Sequence, residues 1–214
     1  MSSDNFLKQY DDKSNIEVGL DEAGRGCLFG PVCIAGVIWP KEDPKDSMVI
    51  KDSKKCTEKY REKCYNYIIN NCIHYGIQLI DNDHIDKNNI LQSTVGGMHL
   101  CLDKINTSDI QIDTILVDGN YFKQYYCSKV DDYIYHKCII KGDDKYKSIA
   151  AASILAKTYR DNYIKELVKA NPELEKYDIH NNKGYGTKKH LEAIKKYGIT
   201  RWHRKSFSPC NQLI

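Results

Sequence analysis

Two apolar stretches lie only a short turn apart near the front of the chain, and together they commit it to a β-sheet. Ile16-Glu17-Val18-Gly19-Leu20 alternates apolar and polar residues, and Pro31-Val32-Cys33-Ile34-Ala35-Gly36-Val37-Ile38-Trp39 is almost continuously apolar. Alternation reads as a strand with one buried face, and a continuous run reads as a strand buried on both. The link, Asp21-Glu22-Ala23-Gly24-Arg25-Gly26, reads as a turn. Strands joined this closely are most simply antiparallel neighbours. No apolar run approaches the roughly 20 residues that a membrane helix needs, so no membrane span is expected.

The rest of the chain supplies helices for such a sheet. After a charged loop over 40–53, residues 57–75 carry Tyr60, Cys64, Tyr67, Ile68 and Cys72 at helical spacing, with Gly76 as a C-cap. A short strand follows at 77–80. Residues 89–105 read as a second helix with Leu91, Val95, Met98, Leu102 and Ile105 on one side. Ile115-Leu116-Val117 is a buried strand ending at Asp118-Gly119, and 134–140 is another strand. An Ala-rich helix is expected over 148–169, a shorter one over 187–197 ending at Gly198, and an irregular basic tail after it. Strands first, then strands alternating with helices, imply an α/β chain with a mixed sheet and helices on its faces. At 214 residues this is one domain with a small appendage.

Charge is divided along the chain. Residues 1–50 hold 5 Lys/Arg against 9 Asp/Glu, whereas residues 181–214 hold 8 Lys/Arg against Glu192 alone. An acidic front and a basic end suggest carboxylate chemistry in one place and a polyanion grip in another. The polar N-terminus is not a secretory signal. The nine cysteines are odd in number and contain no Cys-x-x-Cys pair, which argues against a zinc site or a disulfide framework. Reduced thiols in the cytoplasm are expected. His190 and His203 read as structural or phosphate-proximal, since no second ligand stands at metal spacing.

Acidic residues occupy positions that a core should not contain. Asp21-Glu22 and Asp118 both stand where a buried strand ends, the place where open sheets present their chemistry. Asp before Gly is also ordinary turn chemistry, so Asp118 alone stays open. Asp161 is sharper: at 100° per residue it falls within about 20° of Ile154 and Val168, interrupting an apolar face. A carboxylate there needs a metal or a cationic partner such as Lys157 or Lys165. A set of carboxylates suits a hard cation, and clusters holding two metals recur in phosphodiester cleavage.

Gly24-Arg25-Gly26-Cys27-Leu28-Phe29-Gly30 superficially suggests a dinucleotide loop. Pro31 and a strand follow it, however, and not the helix that a pyrophosphate site requires, which excludes a Rossmann oxidoreductase. What survives is a turn whose bare backbone can approach a ligand closely.

These segments, in order, resemble the type 2 ribonuclease H family, ribonuclease HII in particular. The likeness runs from about 17 to 209. It rests on Gly19-Leu20-Asp21-Glu22-Ala23-Gly24-Arg25-Gly26, Leu28-Phe29-Gly30-Pro31-Val32, Asp52-Ser53-Lys54-Lys55, Val117-Asp118-Gly119-Asn120 and Lys141-Gly142-Asp143. It continues with Ile149 through Lys157, Arg160-Asp161, Lys183-Gly184-Tyr185-Gly186-Thr187, His190-Leu191 and His203-Arg204-Lys205-Ser206-Phe207. The resemblance implies a ribonuclease H-like mixed sheet flanked by helices over 1–170. A small helical, basic, substrate-binding part over 171–214 would pack on it. It implies four metal carboxylates, Asp21, Glu22, Asp118 and Asp161, holding two Mg²⁺ or Mn²⁺ ions. It makes Gly24-Arg25-Gly26 the loop that reads a ribose 2′-hydroxyl, and Tyr185 the ring beside the neighbouring deoxyribose. Lys54, Lys55 and Arg204 are expected at the substrate backbone.

The implied activity is endonucleolytic cleavage of RNA in RNA–DNA hybrids and at ribonucleotides embedded in duplex DNA, leaving 5′-phosphate and 3′-hydroxyl ends. A monomer without a sliding-clamp peptide is expected. Cys27 stands where the family usually has Pro. The related ribonuclease HIII has Glu where this chain has Asp161, and an N-terminal extension that is not expected here. The competing readings are another nuclease of the same fold and a hybrid-binding protein without catalysis.

Overall fold

The computed structural model describes residues 16–44, 48–51, 53–106 and 109–213. The N-terminal segment, part of the 40–53 loop and Asp52 lie outside them. In chain order the strands are β1 (Glu17–Ala23), β2 (Val32–Ile38), β3 (His74–Ile80), β4 (Thr114–Asp118), β5 (Tyr126–Cys127), β6 (Asp132–Tyr133) and β7 (Tyr135–Ile139). The helices are α1 (Glu58–Asn71), α2 (Asn82–Ile105), α3 (Lys147–Ala170), α4 (Ile179–Asn182) and α5 (Lys188–Tyr197). Short 3₁₀ turns occupy 53–55, 142–144, 172–177 and 210–212.

The main sheet has five strands in the order β3-β2-β1-β4-β7. β1 and β2 pair antiparallel, as do β2 and β3, whereas β1–β4 and β4–β7 are parallel. The mixed α/β sheet is therefore the expected one. Val18, Leu20, Ile34, Ile115 and Val117 pack on α2 residues Met98, Leu102 and Ile105. The opposite face, with Ala23, Ala35 and Val37, packs on α3 and on Cys64 and Ile68 of α1. Ala150, Ala151, Ala152 and Ala156 keep α3 slim on its buried side. Gly19 completes that approach: a Cβ there would lie 2.3 Å from the Ser148 backbone. A third apolar cluster joins Leu28 and Phe29 to Ile164, Val168, Leu174, Tyr177 and α5 residue Ile194. No helix among the described residues is long and apolar enough to cross a membrane.

Three boundaries differ from the sequence reading. β1 runs on through Asp21 and Glu22 to Ala23, so the acids lie in the strand and not in a turn. α1 ends at Asn71, and Gly76 is not its cap. Gly76 lies inside β3 opposite Gly36, where a Cβ would meet the Cys101 carbonyl of α2 at 3.0 Å. That glycine serves close packing. The second helix begins earlier, at Asn82, behind an Asp81 cap. Asn89 interrupts it with φ 60°, and its side chain accepts from the Gln92 N–H. The start expected at 89 is therefore a real local cap inside a longer element.

Candidate active site

The parallel pairing of β1 with β4 builds the acidic centre. Leu20 lies opposite Val117, so the next residue on each strand, Asp21 and Asp118, emerges side by side. Asp21 is buried, and its Oδ1 accepts from the Glu22 N–H at 2.7 Å. Ser153 of α3 is also bonded to it, and the Ser153 hydroxyl lies 3.0 Å from that of Ser53. Asp118 Oδ1 accepts from the Gly142 N–H at 2.7 Å. Glu22 Oε1 is 3.3 Å from Arg25 Nη1.

Crowding decides the electrostatics. Burial, then Glu22, then Asp118 push the Asp21 carboxyl well above its ordinary range. Burial also raises Glu22, although Arg25 opposes it and Asp118 adds to it. Lys54 contributes a small opposing attraction at Glu22, which places its ammonium near this centre. Three mutually repelling carboxyl groups with hard oxygen donors fit a divalent cation, whose charge would offset their repulsion and desolvation.

Asp161 is buried on α3 in line with Ile154 and Val168, as the helical spacing requires. Two cations engage it: Lys157 Nζ at 2.8 Å and Arg61 Nη2 of α1 at 3.6 Å. Lys165 turns instead to Glu58 and Glu62. Among the described residues no three His, Cys, Asp or Glu side chains already stand grouped around a metal position. Asp21, Glu22 and Asp118 are near enough to repel one another, whereas Asp161 stays in its own ion pairs.

Gly24, with φ +92°, and Gly26 flank Arg25, whose side chain is exposed. The Gly26 α-carbon faces open space, with nothing within 4 Å of a Cβ built there. Past the loop, Leu28 N–H donates to Gly184 O at 2.8 Å and Gly30 N–H to Trp202 O at 2.9 Å. Tyr185 is 42% exposed, and Lys157 Nζ lies 5.6 Å from its ring centre. Burial, then Cys27, to which the Tyr185 hydroxyl is bonded, push that hydroxyl up to about 12. Cys27 occupies the expected departure from the family pattern, and its thiol also contacts Lys183 O. Lys55 is paired with Asp144.

Arg204 is placed differently from the expectation of a substrate contact. It is fully buried, and its guanidinium donates to the carbonyls of Gly24, Arg25 and Gly30. Tail residues around it pair with 28–30, which draws the side chain inward under the loop. His190 and His203 are likewise fully buried, with their Nε2 atoms 3.1 Å apart, which removes the phosphate-proximal reading. Sequence reasoning assigned no role to Arg61, Ser153 or Arg160. Ser153 is hidden within an alanine run, and Arg61 depends on how α1 packs on α3. Arg160, fully buried beside Asp161, carried the one available signal, a second charge on the apolar part of α3.

Acids at the adjoining ends of two parallel neighbours in a five-stranded mixed sheet define a nuclease of the ribonuclease H-like class. The ribonuclease HII family model matches residues 18–210. Ribonuclease HII of Christiangramia forsetii is 46% identical over 202 residues, covering 94% of each chain. The crystal structure of ribonuclease H2 from Pyrococcus horikoshii superposes with a TM-score of 0.72 at 24% identity, covering 92% of this chain and 96% of that one. A Bst ribonuclease HIII in complex with Mn²⁺ superposes with a TM-score of 0.71 at 18% identity, covering 92% of this chain and 68% of that one. The chain belongs to the ribonuclease HII family of type 2 ribonuclease H endonucleases.

Proposed function

We propose that the protein is a divalent-cation-dependent endonuclease that cuts the RNA strand of RNA–DNA hybrids and single ribonucleotides embedded in duplex DNA. The products carry 5′-phosphate and 3′-hydroxyl ends. The observation that carries the reading is the side-by-side emergence of Asp21 and Asp118 with Glu22 at the β1 and β4 ends. Mg²⁺ or Mn²⁺, two per site, would supply an activated water and stabilise charge on the leaving 3′-oxygen. The Mn²⁺ held by the ribonuclease HIII neighbour supports this choice of ion.

The chain's own residues do the rest. Asp21, Glu22 and Asp118 supply the first oxygen donors, and Asp161 joins them by exchanging its Lys157 and Arg61 contacts. Selectivity for RNA must rest on the 2′-hydroxyl, the group DNA lacks. The open face at Gly26 suits backbone approach to it, and the exposed Tyr185 ring suits packing on the adjoining sugar. Lys54 and Lys55 lie near the backbone phosphates of the substrate. Residues 1–170 form the catalytic part and 171–214 the basic part that grips the duplex. The nine free cysteines favour a reducing, cytoplasmic setting.

The test is incubation with a DNA duplex carrying one ribonucleotide, its all-DNA twin and a long hybrid, with the product ends identified. Asp21→Asn, Glu22→Gln, Asp118→Asn and Asp161→Asn should each lower turnover at least about 100-fold, because metal catalysis contributes several kcal/mol. Near-normal turnover by Asp161→Asn with Mg²⁺ would remove that residue from the metal set. Cleavage of the all-DNA twin at a matching rate would overturn the substrate reading.

A further inference from the structure

Two arginines are buried beneath the Gly24-Arg25-Gly26 loop, and both are spent on backbone carbonyls. From α3, Arg160 donates through Nε to Pro31 O (2.8 Å), through Nη1 to Lys183 O (2.8 Å) and through Nη2 to Phe29 O (3.0 Å). From the tail, Arg204 donates through Nε to Gly30 O (3.0 Å), through Nη1 to Arg25 O (2.8 Å) and through Nη2 to Gly24 O (2.8 Å). Neither guanidinium forms an ion pair with a carboxylate among the described residues. Burying two like charges is costly, and the carbonyl bonds to each guanidinium offset that cost. Burial foremost, and also Arg160, push the Arg204 guanidinium down to about 10.

The consequence lies on the other side of the loop. In a trans peptide the C=O and the following N–H point in opposite directions. Arg204 pulls the carbonyls of Gly24 and Arg25 inward, so the N–H groups of Arg25 and Gly26 must point outward. Neither N–H has an acceptor within the described protein, whereas Cys27, Leu28 and Gly30 nearby do donate. Gly26 leaves that stretch uncrowded, with nothing within 4 Å of a Cβ built on it. A charged donor on the carbonyl also polarises the peptide and strengthens its N–H as a donor. Gly24 fits the same arrangement: a Cβ there would fall 2.1 Å from Arg160 Nε. The glycine is needed for the guanidinium as well as for φ.

We propose that Arg160 and Arg204 are positioning residues for ribonucleotide recognition, holding the loop so that the Arg25 and Gly26 N–H groups meet the 2′-oxygen. This rests on the substrate reading above. Arg160 packs under Gly24 and ties Phe29 and Pro31, just past the loop, to the catalytic helix, while Arg204 ties the loop itself to the tail, so the loop answers to both parts of the chain.

The test is binding of the full chain, in a chelator so that nothing is cut, to a duplex with one ribonucleotide and to its all-DNA twin. Arg160→Lys and Arg204→Lys keep the charge and lose the fork. Each should reduce the preference for the ribonucleotide duplex about tenfold, the worth of one aimed hydrogen bond, and leave the all-DNA affinity in place. A purely structural role would lower both affinities together at a constant ratio, and that result overturns the proposal. Wild type without any preference would instead overturn the substrate reading. Amide exchange on wild type decides the matter if the variants do not fold. The Arg25 and Gly26 amides should be slowed by the ribonucleotide duplex alone, and equal slowing by both duplexes would overturn the proposal.

Discussion

Asp21 puts folding and function in opposition on one carboxyl. Its folded-state pKa is raised by burial, Glu22 and Asp118, while the unfolded chain ionises in the ordinary carboxylate range. Between those two values the folded protein binds more protons than the unfolded one, so stability falls as pH rises through the window. Asp21→Asn removes the penalty. In a chelator at pH 7 the variant should melt a few degrees above wild type, with the gap closing on acidification, even as turnover falls. Thermal melts over a pH series check this. A lower melting temperature for the Asn variant would mean that the Glu22 N–H and Ser153 bonds outweigh the crowding. At this scale the sequence was informative where a residue broke a pattern. Asp161 between Ile154 and Val168 announced its own burial. Its partner Arg61 did not, because nothing local in α1 separates an arginine aimed at α3 from one aimed at water.

Among the elements, α5 and the tail show how charge on paper divides in space. Lys188, Lys189 and Arg201 are exposed and available to a polyanion, whereas Arg204, three residues beyond Arg201, is sealed under the Gly24 loop. Neutralising the three exposed residues together should reduce the slope of log affinity against log salt by up to about 0.9 per lost phosphate contact. Titrations of duplex binding at several salt concentrations measure it, and an unchanged slope in the triple variant would make this charge a solvated surface only. Element types were legible because periodicity reports them. Ends were less so, since a glycine carries two meanings. Gly198 caps α5 with φ +75°, as read, but Gly76 makes room for α2 against β3. Only the position of the packing helix separates the two uses. The same limit hid Asp21 and Glu22 inside β1, where their ladder partners are Ala35 and Ile34.

The whole molecule is closed by long-range pairings that no local window contains. The β1–β4 alignment joins residues almost a hundred apart, and it alone sets Asp21 beside Asp118. The tail returns over a far longer stretch of chain to seat His203 against Phe29. There the His pair has a defined proton arrangement, assigned from its bonds. Thr200 N–H donates to His203 Nδ1 (2.9 Å), so the proton of that ring is on Nε2 and points at His190 Nε2 (3.1 Å). His190 then donates through Nδ1 to Tyr185 O (2.9 Å), so both rings are neutral and the chain ends on the loop that carries Tyr185. Burial, then His190, hold His203 down to about 4, and burial lowers His190 despite its bond to Tyr185 O and the attraction of Asp178. An unfolded His titrates near 6.5, so below that pH the unfolded chain takes up protons that the folded one refuses. The contribution of His203 is therefore full above about 6.5 and is lost as pH falls toward 4, and His190 acts in the same direction. His203→Gln should start lower at neutral pH, by about 1–3 kcal/mol for the disturbed pair, and then lose less on acidification than wild type does. Melting temperatures of both proteins from pH 7.5 to 4 are the measurement, where about 2–4 °C corresponds to 1 kcal/mol for a chain of this size. Parallel curves would show that acid acts elsewhere in the fold.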